Sequence, residues 1–386
     1  MSTSKSASLN EESHITKMMN LPPRLNIKKQ IAPRVYLVCT KLEEDENNEF
    51  ILKWYSRSEL DSFAAALRIP DEDDEEYFNT EDNETDTILE SRVIYTINIH
   101  YTVQSDNNIR MTSEYYCQNN KKWITSIIID GDEYHKENFS CNISIIPLIC
   151  IIGVKFNKEN KVFESLDTCI GLLFPKLEGP LMLFDNHTYK WIPNNIFARF
   201  FTESYIANIF KQTVYIAYTL YEKYRLVHKD IKLENLCFLP FDKSKDDHLR
   251  LMFIDLGEAQ ILSTSLTLKD AYGTHCNLPP ECFMCFLNNS KLGYNAEKRE
   301  IWSLGCLLHT IVFGYSPLYN IWKNKSPLQY QLALCNLDEH IEIPLYSENL
   351  KCDISTKLKD LLCSMLCKHP ESRSSFVNVL HSNWLA

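Results

Sequence analysis

Hydrophobic rhythm changes part-way along this chain, and that change limits the folds open to it. Up to about residue 177 the apolar residues come in short runs of strand length: RVYLVCT (34–40), EFILKWY (49–55), RVIYTINIHYTV, RMTSEYYC, KWITSIIID, ISIIPLICIIGVKF and CIGLLFPKL. Runs rich in β-branched and aromatic residues, bounded by polar turns, predict strands. The first two flank the acidic turn KLEEDENN and predict a hairpin whose second strand carries Lys53 among apolar neighbours. From about residue 195 the spacing turns helical. TESYIANIFKQTVYIAYTLYEKY (202–224) places Ile206, Ile209, Phe210, Ile216, Leu220 and Tyr224 on helical intervals. REIWSLGCLLHTIVFG (299–314) is apolar through most of its length, as a helix buried inside a domain is. STKLKDLLCSMLCKHP (355–370) is amphipathic and stops at a proline. The chain therefore predicts an α+β fold of two lobes, β-rich first and mainly helical second, joined near FPKLEGP (174–180).

Some stretches stand outside this rhythm. Residues 1–24 are polar and predict a flexible leader, followed by a first lobe at 25–175 and a second at 176–386. SELDSFAAALRI (58–69) predicts a short helix. DEDDEEYFNTEDNETD (71–86) holds ten acidic residues in sixteen, and like charges at that density keep a segment solvated. It opens an insertion around 70–140, read as a docking region for a regulatory protein or a plain loop expansion.

Charge narrows the partners. The net charge of −11, from 51 acidic against 40 basic residues, gives no general attraction for nucleic acid or an anionic membrane. ISIIPLICIIGV (143–154) is too short to span a bilayer and contains a proline. The first twenty residues lack the apolar core of a signal peptide. These features predict an intracellular protein, in cytoplasm or nucleus, with its fourteen cysteines reduced. CFMC (282–285) is a CxxC without a second pair and reads as ordinary thiols ahead of a metal or redox site.

The densest chemistry lies in HKDIKLEN (228–235), where a histidine, two lysines, two carboxylates and an asparagine fall within eight positions between apolar flanks. Asp255 comes twenty residues after Asn235, at the end of the apolar run in LRLMFIDLGEA, with Gly257 two residues on. An acid at a strand end beside a glycine can hold a cation while the backbone turns sharply. With Lys53 the set comprises two acids, an amide and two amines. Such a set suits phosphoryl transfer: cations and lysines offset phosphate charge, and a carboxylate accepts the hydroxyl proton.

Over roughly residues 170–385 the chain resembles the catalytic lobe of the eukaryotic serine/threonine protein kinases, in several motifs met in order and at family spacing. HKDIKLEN matches the catalytic loop His-Arg-Asp-Leu-Lys-x-x-Asn, and DLG (255–257) matches the metal-binding Asp-Phe-Gly. GTHCNLPPE (273–281) resembles the segment ending in Ala-Pro-Glu, EIWSLG (300–305) resembles Asp-x-Trp-Ser-x-Gly, and HPESR (369–373) the closing arginine motif. The resemblance implies a bilobal protein-kinase-like fold using ATP and Mg2+, with a protein substrate. It implies that Asp230 is the catalytic base, that Lys232 steadies the transferred group and marks the serine/threonine class, and that Asn235 and Asp255 hold magnesium. Thr274 links Asp230 to Lys232, Glu281 pairs with Arg373, and His228 packs beneath the loop. In the connector, Phe174 takes the gatekeeper position, the main chain of Lys176 and Leu177 meets adenine, and Cys237 forms part of the adenine floor.

The first lobe departs from the family. No glycine precedes residue 131, so Lys28, Gln30 and Pro33 stand where the phosphate-covering loop carries its glycines. Proline has no N–H to offer a phosphate, so either the grip on phosphate falls to Lys28 or Lys29, or nucleotide binding is weak. Lys53 resembles the strand-three lysine, and Glu90 and Glu137 are both open as its partner. Lys229 replaces an arginine that commonly pairs with a phosphorylated activation segment, Leu256 replaces phenylalanine, and Glu300 lengthens an aspartate brace beneath the catalytic loop. Ser263, Thr264, Ser265 and Thr267 are candidate phosphorylation switches. The departures leave a second reading, a catalytically weak or inactive pseudokinase acting as a binding or regulatory scaffold.

Overall fold

The computed structural model describes residues 22, 25–40, 49–56, 85–117, 121–130, 145–166, 169–198, 201–238, 250–287, 293–319, 326–336 and 341–386. The helix expected at 58–69, most of the acidic run and Glu137 lie outside the described residues. Contacts divide the chain into two compact units, Met1–Lys176 and Leu177–Ala386. The fold is the bilobal α+β arrangement of protein kinases, with a β-rich first unit and a mainly helical second.

The first unit is built on a seven-stranded sheet. Its strands are β1 (Leu25–Ala32), β2 (Val35–Thr40), β3 (Glu49–Ser56), β4 (Met111–Cys117), β5 (Lys122–Ile129), β6 (Cys150–Ile152) and β9 (Cys169–Pro175), in the spatial order β1-β2-β3-β9-β6-β4-β5. The small hairpin β7 (Val154–Asn157) and β8 (Val162–Ser165) stands apart from it. The expected pairing of RVYLVCT with EFILKWY is the antiparallel β2–β3 ladder, in which Lys53 faces Val35 on one side and Leu172 of β9 on the other. β1 and β2 turn over Pro33 and Arg34, with Arg34 at a φ of 63°. The β4–β5 hairpin, which falls within the expected insertion, extends the sheet by a parallel pairing of β4 with β6.

RVIYTINIHYTV is not a strand. It lies inside helix α1 (Thr85–Asp106). Its β-branched residues favour strands locally, but Val93, Ile97, His100 and Gln104 recur every three or four positions and form one buried face. Val93 and Ile97 pack with Met111, Leu148, Ile151 and Leu172. Gln104 is fully buried and satisfied: its amide nitrogen donates to Leu148 O at 3.1 Å, and its oxygen accepts from Leu148 N at 2.9 Å. That exchange fixes the backbone just before β6.

Besides the four-residue helix Asn195–Ala198, the second unit's helices among the described residues are α2 (Glu203–Tyr224), α3 (Pro280–Leu287), α4 (Ala296–Phe313), α5 (Pro327–Cys335), α6 (Thr356–Met365) and α7 (Phe376–Leu380). Short antiparallel pairs connect them: β10 (Met182–Asp185) with β11 (Lys190–Pro193), β12 (Leu226–Val227) with β15 (Gln260–Ile261), and β13 (Leu236–Phe238) with β14 (Leu251–Phe253). β16 (Thr267–Leu268) pairs with β17 (Tyr294–Asn295), and β18 (Tyr346–Ser347) with β19 (Cys352–Asp353). Helix α4 is buried along nearly its whole length, as its apolar sequence predicts. Asn295 caps its start by accepting from Lys298 N, and Gly314 ends it at a φ of 83°. A Cβ on Gly314 would also stand 2.7 Å from Trp191 O, so the close approach of β11 requires glycine there.

Gly171 has a different reason to be small. It faces Trp54 across β3 and β9, and a Cβ there would lie 2.9 Å from the indole and 3.1 Å from Ile152 Cβ. Gly171→Ala is expected to overpack this layer and cost about 1–3 kcal/mol. Urea unfolding followed by tryptophan fluorescence checks it; a midpoint equal to that of the parent would show that Trp54 has room to move.

Candidate active site

The segment 228–235 lies between β12 and the strand β13, and helix α4 holds it from below. Glu300 is 2% exposed, and its two carboxylate oxygens accept from His228 N at 2.9 Å and Lys229 N at 3.1 Å. Arg299, fully buried beside it, donates to Glu300 Oε1 at 3.1 Å, to Lys229 O at 2.6 Å and to Tyr272 O at 2.7 Å. The extra methylene of Glu300 therefore leaves the brace intact. These anchors hold Lys229 at a φ of 66°, a left-handed conformation costly for a lysine and maintained here by its neighbours. His228 Nε2 faces Ile254 O at 3.0 Å while Nδ1 faces Asp230 N at 3.3 Å, so Nε2 carries the proton and Nδ1 accepts. The ring stands edge-on to Phe253. The histidine thus pins the loop to the end of β14.

Asp230 sits at the centre of a closed set of hydrogen bonds. Its Oδ1 accepts from Thr274 Oγ1 at 2.6 Å and from Thr274 N at 3.0 Å. Its Oδ2 accepts from Asn235 Nδ2 at 3.1 Å and lies 2.7 Å from Lys232 Nζ. Lys232 Nζ also donates to Thr274 Oγ1 at 3.0 Å, so the threonine hydroxyl joins the two charged groups. Burial pushes the Asp230 carboxyl up, yet the hydrogen bonds from Lys232 and Thr274 together outweigh it and hold it below the usual aspartate value. For Lys232, burial lowers the ammonium and the Asp230 carboxylate more than restores it.

The β13–β14 pairing brings the two expected metal ligands to neighbouring strand ends. Ile254 N donates to Asn235 O at 3.0 Å, and Asp255 follows directly. Asp255 adopts a φ of 57°, and its Oδ1 accepts from Gly257 N at 3.3 Å. Asn235 gives its amide nitrogen to Asp230, both to Oδ2 and to the carbonyl at 2.8 Å, which turns the amide oxygen the other way. Among the described residues no group of three or more His, Cys, Asp or Glu could form a metal cage. Two oxygens on adjacent strand ends fit Mg2+, which keeps most of its shell as water and phosphate oxygen.

The remaining predicted residues fall as follows. Glu281 and Arg373 make a two-pronged ion pair at 2.5 and 3.1 Å, with the buried guanidinium stacked 4.9 Å from the Trp302 ring centre. Cys237 is half-buried in β13, and burial pushes its thiol up to about 11. Glu178 and Phe238 exchange backbone hydrogen bonds at 2.8 Å, which lays residues 177–179 beside Cys237. Within the first unit, Lys53 is partly buried on β3 with Nζ 5.9 Å from the Tyr55 ring centre. The Lys176 side chain lies 2.6 Å from Glu49 Oε2, and Lys28 lies 2.9 Å from Oε1. Their hydrogen bonds, Lys176 first, bring the Glu49 carboxyl down to about 2. Lys28 is therefore occupied by Glu49, a residue the sequence reading passed over. Cys282 and Cys285 are buried in α3 and not joined in a disulfide, with the Cys282 thiol pushed up to about 12.

A carboxylate, an amine and two further oxygen-bearing side chains, those of Asn235 and Asp255, are thus gathered on neighbouring loops. The chain belongs to the protein kinase domain family, whose match covers residues 184–385. Among curated proteins it is 27% identical over 185 residues to myosin light chain kinase A of Dictyostelium discoideum, covering 48% of this chain and 56% of that one. It is 32% identical over 168 residues to dual specificity protein kinase Ttk of Danio rerio, covering 42% and 15%, and 31% identical over 190 residues to serine/threonine-protein kinase Nek3 of Mus musculus, covering 49% and 32%. The chain thus spans little more than half of the first of these proteins, and less of the others.

Glu300→Ala removes the acceptor of two buried N–H groups and leaves Arg299 short of its counter-charge. The expected loss is about 3–5 kcal/mol, read by urea unfolding; a loss under about 1 kcal/mol would show that the loop is held elsewhere.

Proposed function

We propose that the chain transfers the γ-phosphoryl group of ATP, with Mg2+, to serine or threonine hydroxyls of protein substrates. The observation that carries this reading is the Asp230 carboxylate, ionised and aimed by Lys232, Thr274 and Asn235 in one hydrogen-bonded set. Asp230 orients the incoming hydroxyl and takes its proton as the new P–O bond forms. Lys232 holds its charge beside that point and offsets the negative charge on the equatorial oxygens. Thr274 keeps both groups in register. Asn235 and Asp255 are the residues that would hold Mg2+, which supplies neutralisation of the phosphate charge when bound.

The finer assignments rest on the family resemblance. Lys53 takes the nucleotide phosphates, the main chain of Lys176 and Leu177 meets adenine, and Cys237 lies beneath the ring. The leader at 1–24, the first lobe at 25–175 and the second at 176–386 frame these roles. The insertion around 70–140 is a docking region for a regulatory protein or a plain loop expansion. Among the described residues the cysteines form no disulfide, which fits a reducing compartment in cytoplasm or nucleus. Among the described residues no helix is long and apolar enough to cross a membrane.

One observation favours the scaffold reading. The β1–β2 hairpin turns over Pro33 and Arg34 without glycine, and Lys28 is tied to Glu49. Radiolabelled ATP assayed on several generic protein substrates separates the two. Transfer by the parent, with Asp230→Asn and Asp255→Ala each lowering it by about a thousandfold or more, supports the kinase. A parent that labels no better than either variant supports the scaffold.

The pH dependence has a defined sign. A base held below its usual value stays ionised at every pH above it, so Asp230 contributes no acid limb to kcat between about pH 5 and 8. A limb with a midpoint near about pH 6 would contradict this account of Asp230.

A further inference from the structure

Lys229 is the residue next to Asp230, and its side chain is only 5% exposed. Burial lowers its ammonium, and the carboxylate of Asp270 acts against that. A charge so placed needs a counter-charge and hydrogen-bond partners. Lys229 Nζ finds them in Asp270 Oδ2 at 2.8 Å and Gln260 Oε1 at 3.0 Å, with the Tyr272 ring centre 5.5 Å away. Asp270 is itself fixed: Oδ1 accepts from Tyr272 N at 3.2 Å, and its carbonyl accepts from the Tyr294 hydroxyl. Arg299 joins the two strands of chain from below through the carbonyls of Lys229 and Tyr272. Thr274, which meets Asp230, lies four residues beyond Asp270.

We infer that Asp270 is a positioning residue for the proposed transfer: through Lys229 it latches residues 267–274 onto the catalytic loop, so that Thr274 meets Asp230 without covalent modification of the segment. This rests on the kinase reading above. The ammonium that a segment phosphate would otherwise engage already has a fixed carboxylate beside it. The exposed hydroxyls of Ser263 and Ser265 instead bond in sequence toward Thr267, at 2.8 and 2.9 Å. Phosphorylation of Ser263, Thr264 or Ser265 is then not required for the segment to take its working form.

The full chain is treated with a phosphatase and compared with Asp270→Asn, Asp270→Glu and a triple variant carrying Ser263→Ala, Thr264→Ala and Ser265→Ala. Transfer kinetics and amide hydrogen exchange are both read. The expected result is full activity in the treated parent and the triple variant. Asp270→Asn, which keeps the shape and removes the charge, is expected to lower kcat at least about tenfold with the KM for ATP within about twofold, and to speed exchange at residues 267–274. Asp270→Glu is expected to recover most of both. Asp270→Asn matching the parent in kcat and exchange overturns the inference, as does loss of activity on phosphatase treatment. Should the parent transfer no phosphate at all, the kinase reading fails, and exchange alone decides the latch. Should Asp270→Asn fail to fold, the treated parent decides it: protected amides at 267–274 support the latch, and amides exchanging as in an unstructured segment overturn it.

Discussion

The second unit depends on one buried carboxylate. Glu300, on helix α4, accepts from the backbone N–H groups of His228 and Lys229, two buried donors that need a partner away from water. Because α4 is buried along nearly its whole length, the loop inherits the rigidity of the core. Asp230 follows immediately, so that anchorage fixes the backbone from which its carboxylate reaches Thr274 and Asn235. Arg299 extends the same support to the carbonyl of Tyr272, so one pair of adjacent residues on α4 steadies both segments that meet at Thr274. An ion pair this deep contributes little net stability by itself, since desolvation offsets the attraction. Its effect is to allow a single geometry.

The catalytic loop was legible in the sequence because its chemistry is local. Asp230, Lys232 and Asn235 are five residues apart at most, and a short turn between two strands brings their polar atoms together. The bidentate pairing of Glu281 with Arg373, 92 positions apart, was reachable only through the family motifs. Helix α1 was misread for a physical reason. Its residues carry strand propensity, and the helical spacing of Val93, Ile97, His100 and Gln104 shows only when the run is read in fours and threes. Asp270 and Glu49 were missed because each is an unremarkable acid in sequence. Only folding puts one 2.8 Å from Lys229 and the other within reach of Lys28 and Lys176. Arg299 left a clue that was not used: a cation inside a run otherwise apolar enough to be buried requires a partner.

The two units differ in how far they keep the family's pattern. In the second, two substituted residues are well partnered: Glu300 accepts from the loop's backbone, and Lys229 finds a carboxylate in Asp270. In the first, the hairpin β1–β2 is closed by a proline and a left-handed arginine, where the family relies on glycine to let the backbone approach phosphate. Lys28, a side-chain charge expected to grip phosphate there, is paired with Glu49, which it shares with Lys176. Under the proposed function, Asp230, Lys232, Asn235 and Asp255 act from the second unit, and nucleotide affinity depends on a first unit without that glycine loop.

Calorimetric titration of the full chain with ATP, with and without Mg2+, tests this most directly. The account predicts that ATP binds, that Mg2+ tightens binding by about tenfold or more, and that Asp255→Ala abolishes the gain from Mg2+ while leaving metal-free binding in place. Absence of ATP binding under both conditions, or a gain from Mg2+ that survives in Asp255→Ala, would contradict it.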